Sequence, residues 1–482
     1  MTRFSERTIT EVPTPVPLPP AGPTLALTSA ATAVALMTYT APMVTLPDIA
    51  ASLHTPLSAQ AWLLNGTPLG LAALLLVAGS LADDYGRRRI FVAGTLALGL
   101  TTVLGAFAST TWLFTLARIA QGAASAALLA SSLGLLVHAF PTPAGRLRAT
   151  GVWGAFVSGG IAVGPIVTGA MPNWRLSYVV LGAAAVVVGA VSARALPHFD
   201  ERRARPDLVA EKQAPLNELA SRAPRGGRPD LGGAVTFGLA LVALVAALTL
   251  GRDGWLRAPV GLLLLASLVL LALFVVVERR AATPMIDLGL LRRPRFLASS
   301  AGGLFTGLAV IGLFSFLPAL LQQTMGLSAM DTAWLFLLWS GLSFAVALQA
   351  RRLSDRVPPR LQLALGFLLH AAGVLTMLGS VGSGSWPRLL PGLVVAGVGS
   401  GLLNAALPLL AVESVPAQRA AMGSGAQQTF RYIGSCAGVA LTIALATSSG
   451  GGLARGADVA MVVSAGLAVV AGVVVGVLRE RG

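Results

Sequence analysis

Fourteen apolar runs divide the 482-residue chain, each long enough at about 20 residues to carry an α-helix across a bilayer. They fall at roughly 25–46, 61–82, 90–108, 112–137, 149–170, 176–196, 231–251, 258–277, 297–322, 332–350, 361–381, 388–412, 422–447 and 456–478. Only 11% of residues are charged, where a soluble domain carries about 25%. The expected fold is therefore all-α and integral to the membrane, with the lipid bilayer as its surroundings. A net charge of +15 would suit nucleic acid if it lay on one surface. It lies in loops between apolar runs, so no nucleic-acid partner is expected. Cys436 is the one cysteine and sits inside a run, so no intrachain disulfide can form.

The arginines set the topology. An even number of spans puts both termini on one side. With that side cytoplasmic, inside segments hold 27 Lys and Arg, outside segments hold 5, and Arg118 and Arg431 remain within spans. The positive-inside rule asks for such an imbalance, and one span more or fewer would invert everything beyond it. The chain is expected in the cytoplasmic (inner) membrane, multi-pass, with both termini cytoplasmic. Residues 1–24, polar and proline-rich, read as a disordered cytoplasmic tail.

The sharpest cytoplasmic turn is Gly79-Ser80-Leu81-Ala82-Asp83-Asp84-Tyr85-Gly86-Arg87-Arg88-Arg89. On charge alone it is a topology signal. Further down, Arg351-Arg352-Leu353-Ser354-Asp355-Arg356 echoes it. Trp62 lies 21 residues before Asp83, and Trp334 lies 21 before Asp355. Leu46-Pro47 is echoed by Leu317-Pro318, and Gly151, Gly160, Gly164 by Gly425, Gly434, Gly438. Helices 1–6 therefore pair with helices 9–14. The resulting division is 25–196 for an N-terminal six-helix bundle, 197–230 for a cytoplasmic loop and 231–277 for two inserted helices. A cytoplasmic linker (278–296) and a C-terminal six-helix bundle (297–482) complete it. Two pseudo-symmetric bundles around a midplane site suit a secondary transporter, in which one bundle rocks against the other.

At these residues the chain resembles the major facilitator superfamily, and within it the fourteen-helix drug:proton antiporters. The first hairpin matches the loop signature G-x-L-a-D-r-x-G-r-[rk]-x at Gly79, Leu81, Asp83, Gly86, Arg87 and Arg88; Asp84 stands where a basic residue is usual. The resemblance implies that this hairpin, with Asp83 and Arg88, staples helices 2 and 3 to their neighbours and controls switching. Asp355 marks its weaker copy. Arg118-Ile119-Ala120-Gln121-Gly122 is similar to R-x-x-q-G, which implies a part for Arg118 and Gln121 in proton coupling. An arginine at this depth either faces a partner or a wet cavity, or snorkels to the outer interface. Gly151, Gly160, Gly164, Pro165 and Gly169 match the antiporter motif G-x8-G-x3-G-P-x2-G-G, with Thr168 replacing its penultimate glycine. That motif favours export over uptake.

One departure concerns the proton. The resembled pattern D-x-T-x-x-x-x-x-L-P, aligned on Leu46-Pro47, puts Thr38 where an aspartate is usual. Threonine does not exchange a proton near neutral pH. Asp48, at the outer mouth, is the first replacement candidate, and His370 in helix 11 is a packed histidine that could titrate. Because the in-span charges are positive, the expected substrate is a small amphipathic compound, neutral or anionic. Candidate cavity residues are Thr38, Tyr39, Met43, Trp153, Phe156, Gln322 and Arg431, with Trp339 as a further wall. The sole lysine, Lys212, follows Glu211, so there is no G-x4-G-K-[ST] phosphate loop. The four histidines and one cysteine have no metal-ligand spacing. The expectation is a monomeric exporter of drugs or antibiotics, not an enzyme, with a proton gradient and no cofactor or metal. The alternatives are a facilitator or differently coupled transporter, and a membrane sensor without transport.

Overall fold

The computed structural model describes residues 21–140, 142–196, 231–251, 256–281, 289, 293–353, 357–415, 420–448 and 450–477. The expected tail up to residue 20, the loop 197–230, most of the linker 278–296, residue 355 and the Asp83 side chain lie outside the described residues.

Fourteen helices are described: α1 (Ala21–Ser52), α2 (Gln60–Tyr85), α3 (Arg87–Ala106), α4 (Thr111–Ala139), α5 (Pro143–Gly169), α6 (Trp174–Ala195), α7 (Leu231–Gly251) and α8 (Ala258–Arg280). They continue with α9 (Pro294–Met325), α10 (Ala329–Leu353), α11 (Pro359–Thr376), α12 (Leu389–Glu413), α13 (Ala420–Ser448) and α14 (Gly452–Val477). Among the described residues, eleven spans are long and apolar enough to cross a membrane by length and composition alone. The other three helices stand among neighbours: α2 against α4 and α13, α7 against α2 and α8, and α11 against α12 and α14.

Polar caps set several starts. Side chains of Thr110, Thr142 and Asn173 accept from the amides of Leu113, Gly145 and Leu176, opening α4, α5 and α6. Several boundaries differ from the expectation, among them the end of α1, at Ser52 against 46, and the start of α5, at Pro143 against 149. Helix α1 begins at Ala21, four residues before the expected start. Helix α11 ends at Thr376, short of 381. Gly379 and Gly384 there take φ of +71° and +66°, a region that favours glycine, and Asp458 of α14 accepts from the Gly379 amide.

The packing repeats with a shift of eight helices. The pairs α1–α5, α1–α6, α2–α4, α3–α4 and α3–α6 reappear as α9–α13, α9–α14, α10–α12, α11–α12 and α11–α14. The two groups meet through α2 against α13 and through α5 against α10, two contacts related by the same exchange, with α1 against α9 between them. The α2–α3 turn, carrying Arg87, Arg88 and Arg89, marks the basic end of the molecule; the α1–α2 connection marks the far end.

Candidate functional site

A proline explains the most deeply placed charge. Pro42 lies inside α1 and has no N–H to give the carbonyl four residues earlier, that of Thr38. Arg118 of α4 supplies the missing donor: its guanidinium reaches the Thr38 carbonyl at 2.7 Å, the Tyr39 carbonyl at 3.1 Å and Gln121 Oε1 at 2.9 Å. Arg118 is 0% exposed. It therefore does not snorkel, and it faces the back of α1, not a wet cavity. Close crossing of α2 and α4 holds it there: Cβ atoms at Gly66, Gly70 and Gly122 would run into the facing backbone or the Arg118 stem.

On the other side of α1 a cavity opens between the two groups of helices. It spans about 560 Å³, open solvent included. Tyr39, Thr40 and Met43 of α1 line it, with Ser158 and Ile161 of α5. The second group contributes Ile311, Phe314 and Ser315 of α9, five residues of α10 from Phe336 to Phe344, Asn404 of α12 and Arg431 of α13. Phe314 stacks on Trp339 with ring centroids 4.2 Å apart and planes 14° from parallel. Trp339 is held from behind by its Nε1–H bond to Ser400 Oγ at 3.2 Å. Beside the cavity and toward the far end, four bonds tie the groups together, the longest from Cys436 Sγ to the Asn65 carbonyl at 4.0 Å. Tyr39 Oη and Ser435 Oγ lie 3.4 Å apart, Asn65 Nδ2 donates to the Cys436 carbonyl at 2.9 Å, and Gln322 Nε2 donates to the Val44 carbonyl at 2.8 Å.

The repeated glycines meet equivalent partners. Gly160 and Gly164 of α5 press on α1 at Ala33 and Met37; Gly434 and Gly438 of α13 press on α9 at Leu304 and Leu308. The register that pairs Pro47 with Pro318 pairs those partners too. Helix α9 makes a π-helical turn over Thr306–Ile311. Ser464 of α14 donates to the Ala309 carbonyl within it at 2.9 Å, as Arg118 does to Thr38. Both Thr38 and Ala309 lie in broken stretches of paired helices. Among the motif's other residues, Gly169 approaches the Ala329 carbonyl of α10, and buried Pro165 leaves the Ile161 carbonyl without its helical donor.

Gly86 takes φ +94°, which lets α3 start with only this one residue between it and the end of α2. Arg87 donates to the Gly134 carbonyl at 3.2 Å and lies 2.7 Å from His138 Nδ1, both in α4. Arg88 donates to the Leu196 carbonyl at 2.6 Å and to that of Ala193, at the end of α6. The turn is thus tied to two helix C-termini, where cations are favoured. Gly79 has open space around it.

Of the expected cavity residues, Tyr39, Met43, Trp339 and Arg431 line the space and four do not. Thr38 turns its hydroxyl to the Val34 carbonyl, about 100° round α1 from Tyr39. Trp153 donates to Thr32 Oγ1 at 2.9 Å. Phe156 is 44% exposed, about 200° round α5 from lining Ser158. Gln322 serves the far-end bond to Val44. Asp48 is exposed, near the far end of α1 and away from Arg118. His370 is buried beside the cavity wall, its ring 5.8 Å from that of Phe314, with neither ring nitrogen bonded. Phe314 and Ile311 escaped the sequence reading, yet the repeat held the signal, since its register pairs them with Met43 and Thr40. Asn404, Phe336 and Ser343 carry no such mark. Among the described residues, no group of three His, Cys, Asp or Glu could hold a metal ion.

The sequence pattern of the Major Facilitator Superfamily matches residues 28–439. Multidrug resistance protein Stp of Mycobacterium tuberculosis is 31% identical over 403 residues, 83% of this chain and 71% of that protein. Puromycin resistance protein pur8 of Streptomyces alboniger is 31% identical over 420 residues, 84% of this chain and 78% of that protein. A bacterial homologue of the human lysosomal transporter Spinster, solved inward-facing and unoccupied, has a TM-score of 0.62 at 17% identity, over 95% of this chain and 96% of that one. Paired six-helix groups, the matched pattern and relatives of this kind lead to one conclusion: the chain belongs to the major facilitator superfamily, on the branch of the multidrug and antibiotic efflux transporters.

Proposed function

We propose that the chain exports small amphipathic compounds across the cytoplasmic membrane by alternating access, exchanging them for protons. The observation that carries this reading is the shared cavity, lined from both helix groups, with the Tyr39, Asn65 and Gln322 bonds joining the groups beside it. Export requires those bonds to break while the groups close at the basic end, which the arginine count makes cytoplasmic, along with both termini. The hairpin at Gly86, tied by Arg87 and Arg88 to α4 and α6, moves with the first group as one body. Arg118 and Gln121 take part in coupling by holding α1, whose Tyr39 ring faces both cavity and partner group. The glycines of α5 let that helix slide on α1. The protein works as a monomer, needs no cofactor and is no enzyme; the gradient supplies the energy.

A resistance profile of an efflux-deficient host expressing the chain identifies a substrate. That substrate should then release protons from the purified protein on binding, and a pH gradient alone should drive its movement in liposomes. Absence of both would end the antiport reading. A second reading, transport without proton exchange, is favoured by one observation. Among residues whose side chains are described, Glu278 at the basic end of α8 is the only buried carboxylate, and it belongs to neither bundle. Flux under a potassium diffusion potential with no pH gradient identifies that case. Flux abolished by Arg118→Ala, at unchanged expression, would retire a sensor without transport.

A further inference from the structure

The two in-span arginines differ in one respect. Arg118 has three acceptors within reach. Arg431 lines the cavity and, among the described residues, makes no hydrogen bond or ion pair. No Asp, Glu or His is among the cavity residues. A charged side chain at bilayer depth costs at least about 2.5 kcal/mol and normally faces a partner. Here none is found among the described residues. The fold fixes the position nonetheless: α9 and α13 cross in backbone contact where Gly307 meets the Arg431 carbonyl, so Arg431 cannot shift along the cavity.

Beside this cation stands a rigid aromatic face on the same helix group. Phe314 and Trp339 are stacked, and Phe336 meets Trp339 edge-on with ring centroids 5.2 Å apart. A pinned flat ring surface accepts another flat ring at little entropic cost. A guanidinium takes a carboxylate or sulfonate through two parallel N–H donors.

We propose that the cavity binds an aromatic oxyanion, its negative group on Arg431 and its ring against the Trp339–Phe314 face. This rests on the export reading and names the substrate class of that site. The chain thereby differs from a pump that recognises organic cations with embedded acids.

The test uses the purified full chain in lipid nanodiscs and three probes with one ring system and fixed charges: 2-naphthalenesulfonate, 2-naphthalenesulfonamide and (2-naphthylmethyl)trimethylammonium. The sulfonate should bind at least about tenfold more tightly than the other two. Arg431→Gln should bring sulfonate affinity down to that of the sulfonamide and leave the sulfonamide unchanged. Arg431→Lys, which keeps the charge but loses the fork, should fall between. Trp339→Leu should weaken the sulfonate and the sulfonamide alike. Sulfonate binding that is absent, weaker than that of the ammonium ion, or equal in wild type and Arg431→Gln would overturn the proposal. The wild-type ranking decides even where Arg431→Gln fails to fold. A liposome arm separates this from the export reading: sulfonate bound through Arg431 but never moved would refute export and leave the site standing. Ammonium moved with no sulfonate bound would refute the site and leave export standing.

Discussion

If Arg118 stands in for an N–H that Pro42 lacks, returning that N–H should relieve the loss of the arginine. The perturbation is a double-mutant cycle of Arg118→Met and Pro42→Ala. Arg118→Met removes donors to the carbonyls of Thr38 and Tyr39 and to Gln121 Oε1. Gln121 can rotate, but Thr38 is 1% exposed and its carbonyl has no main-chain donor from position 42. A buried acceptor left without a partner costs about 1–3 kcal/mol. The alanine of Pro42→Ala offers its N–H to that carbonyl, so in the Arg118→Met background it should recover most of this loss. In the wild-type background the carbonyl is already bonded, and the same N–H should add little. The expected coupling is about 1–2 kcal/mol, and the effect of Pro42→Ala on the unfolded chain cancels in the cycle. Equilibrium unfolding in mixed SDS micelles measures the stability terms, with transport followed in parallel. Additivity within about 0.5 kcal/mol, or an Arg118→Met protein weakened further by Pro42→Ala, would refute the view that Arg118 caps the broken turn of α1.

Glycine substitutions should follow the contacts: Gly434→Ala drives a Cβ into the Leu304 carbonyl and should destabilise by about 1–3 kcal/mol, whereas Gly154→Ala, with open space around it, should be close to neutral in thermal unfolding. His370→Leu should leave stability unchanged or raised, because both ring nitrogens are buried without partners; a transport rate that lost its pH dependence in this variant would instead make His370 a proton carrier. Asp83→Asn should reduce transport more than Asp355→Asn at equal expression, since the first hairpin carries the Arg87 and Arg88 ties and the second has Pro358 for Gly86. Equal effects would count against the first hairpin as the principal switch.

Much of the scaffold was legible because length, apolarity and arginine placement act locally. Each run had to be a helix, and Gly86 had to turn. The glycine repeat was legible too, since close crossing demands the same small residue at the same place in both copies. The interior was harder for a physical reason. Arg118 bonds to main-chain carbonyls, which every residue carries, and only a proline four residues after Thr38 distinguishes the one it serves. Phe156 and Trp153 looked as suitable for a cavity as Phe314 and Trp339; rotation about the helix axis decides between them, and that depends on which faces meet across the two groups. The π-helical turn in α9 leaves no sequence mark of its own, and it alters that rotation midway along the helix.

The missing acid and the free arginine have one explanation between them. An embedded carboxylate serves a cation exporter twice: it binds the cation and carries the returning proton. With Thr38 where the resembled pattern has an aspartate, and Arg431 in the cavity, the proposed anion site binds a charge of the opposite sign. An aromatic anion brings its own negative charge to a fixed positive one, so binding needs no acid. The membrane potential then adds to the proton gradient in driving export. Moving one elementary charge across 100 mV is worth about 2.3 kcal/mol, and the interior-negative potential pushes an anion outward. That corresponds to roughly a 50-fold outward gradient per 100 mV for a monovalent substrate. A cation exporter works against the same term and must offset it with protons. The substitution of Thr38 is therefore tolerable for a carrier of anions and damaging for a carrier of cations, and the lone charge in the cavity is of the sign that makes it tolerable.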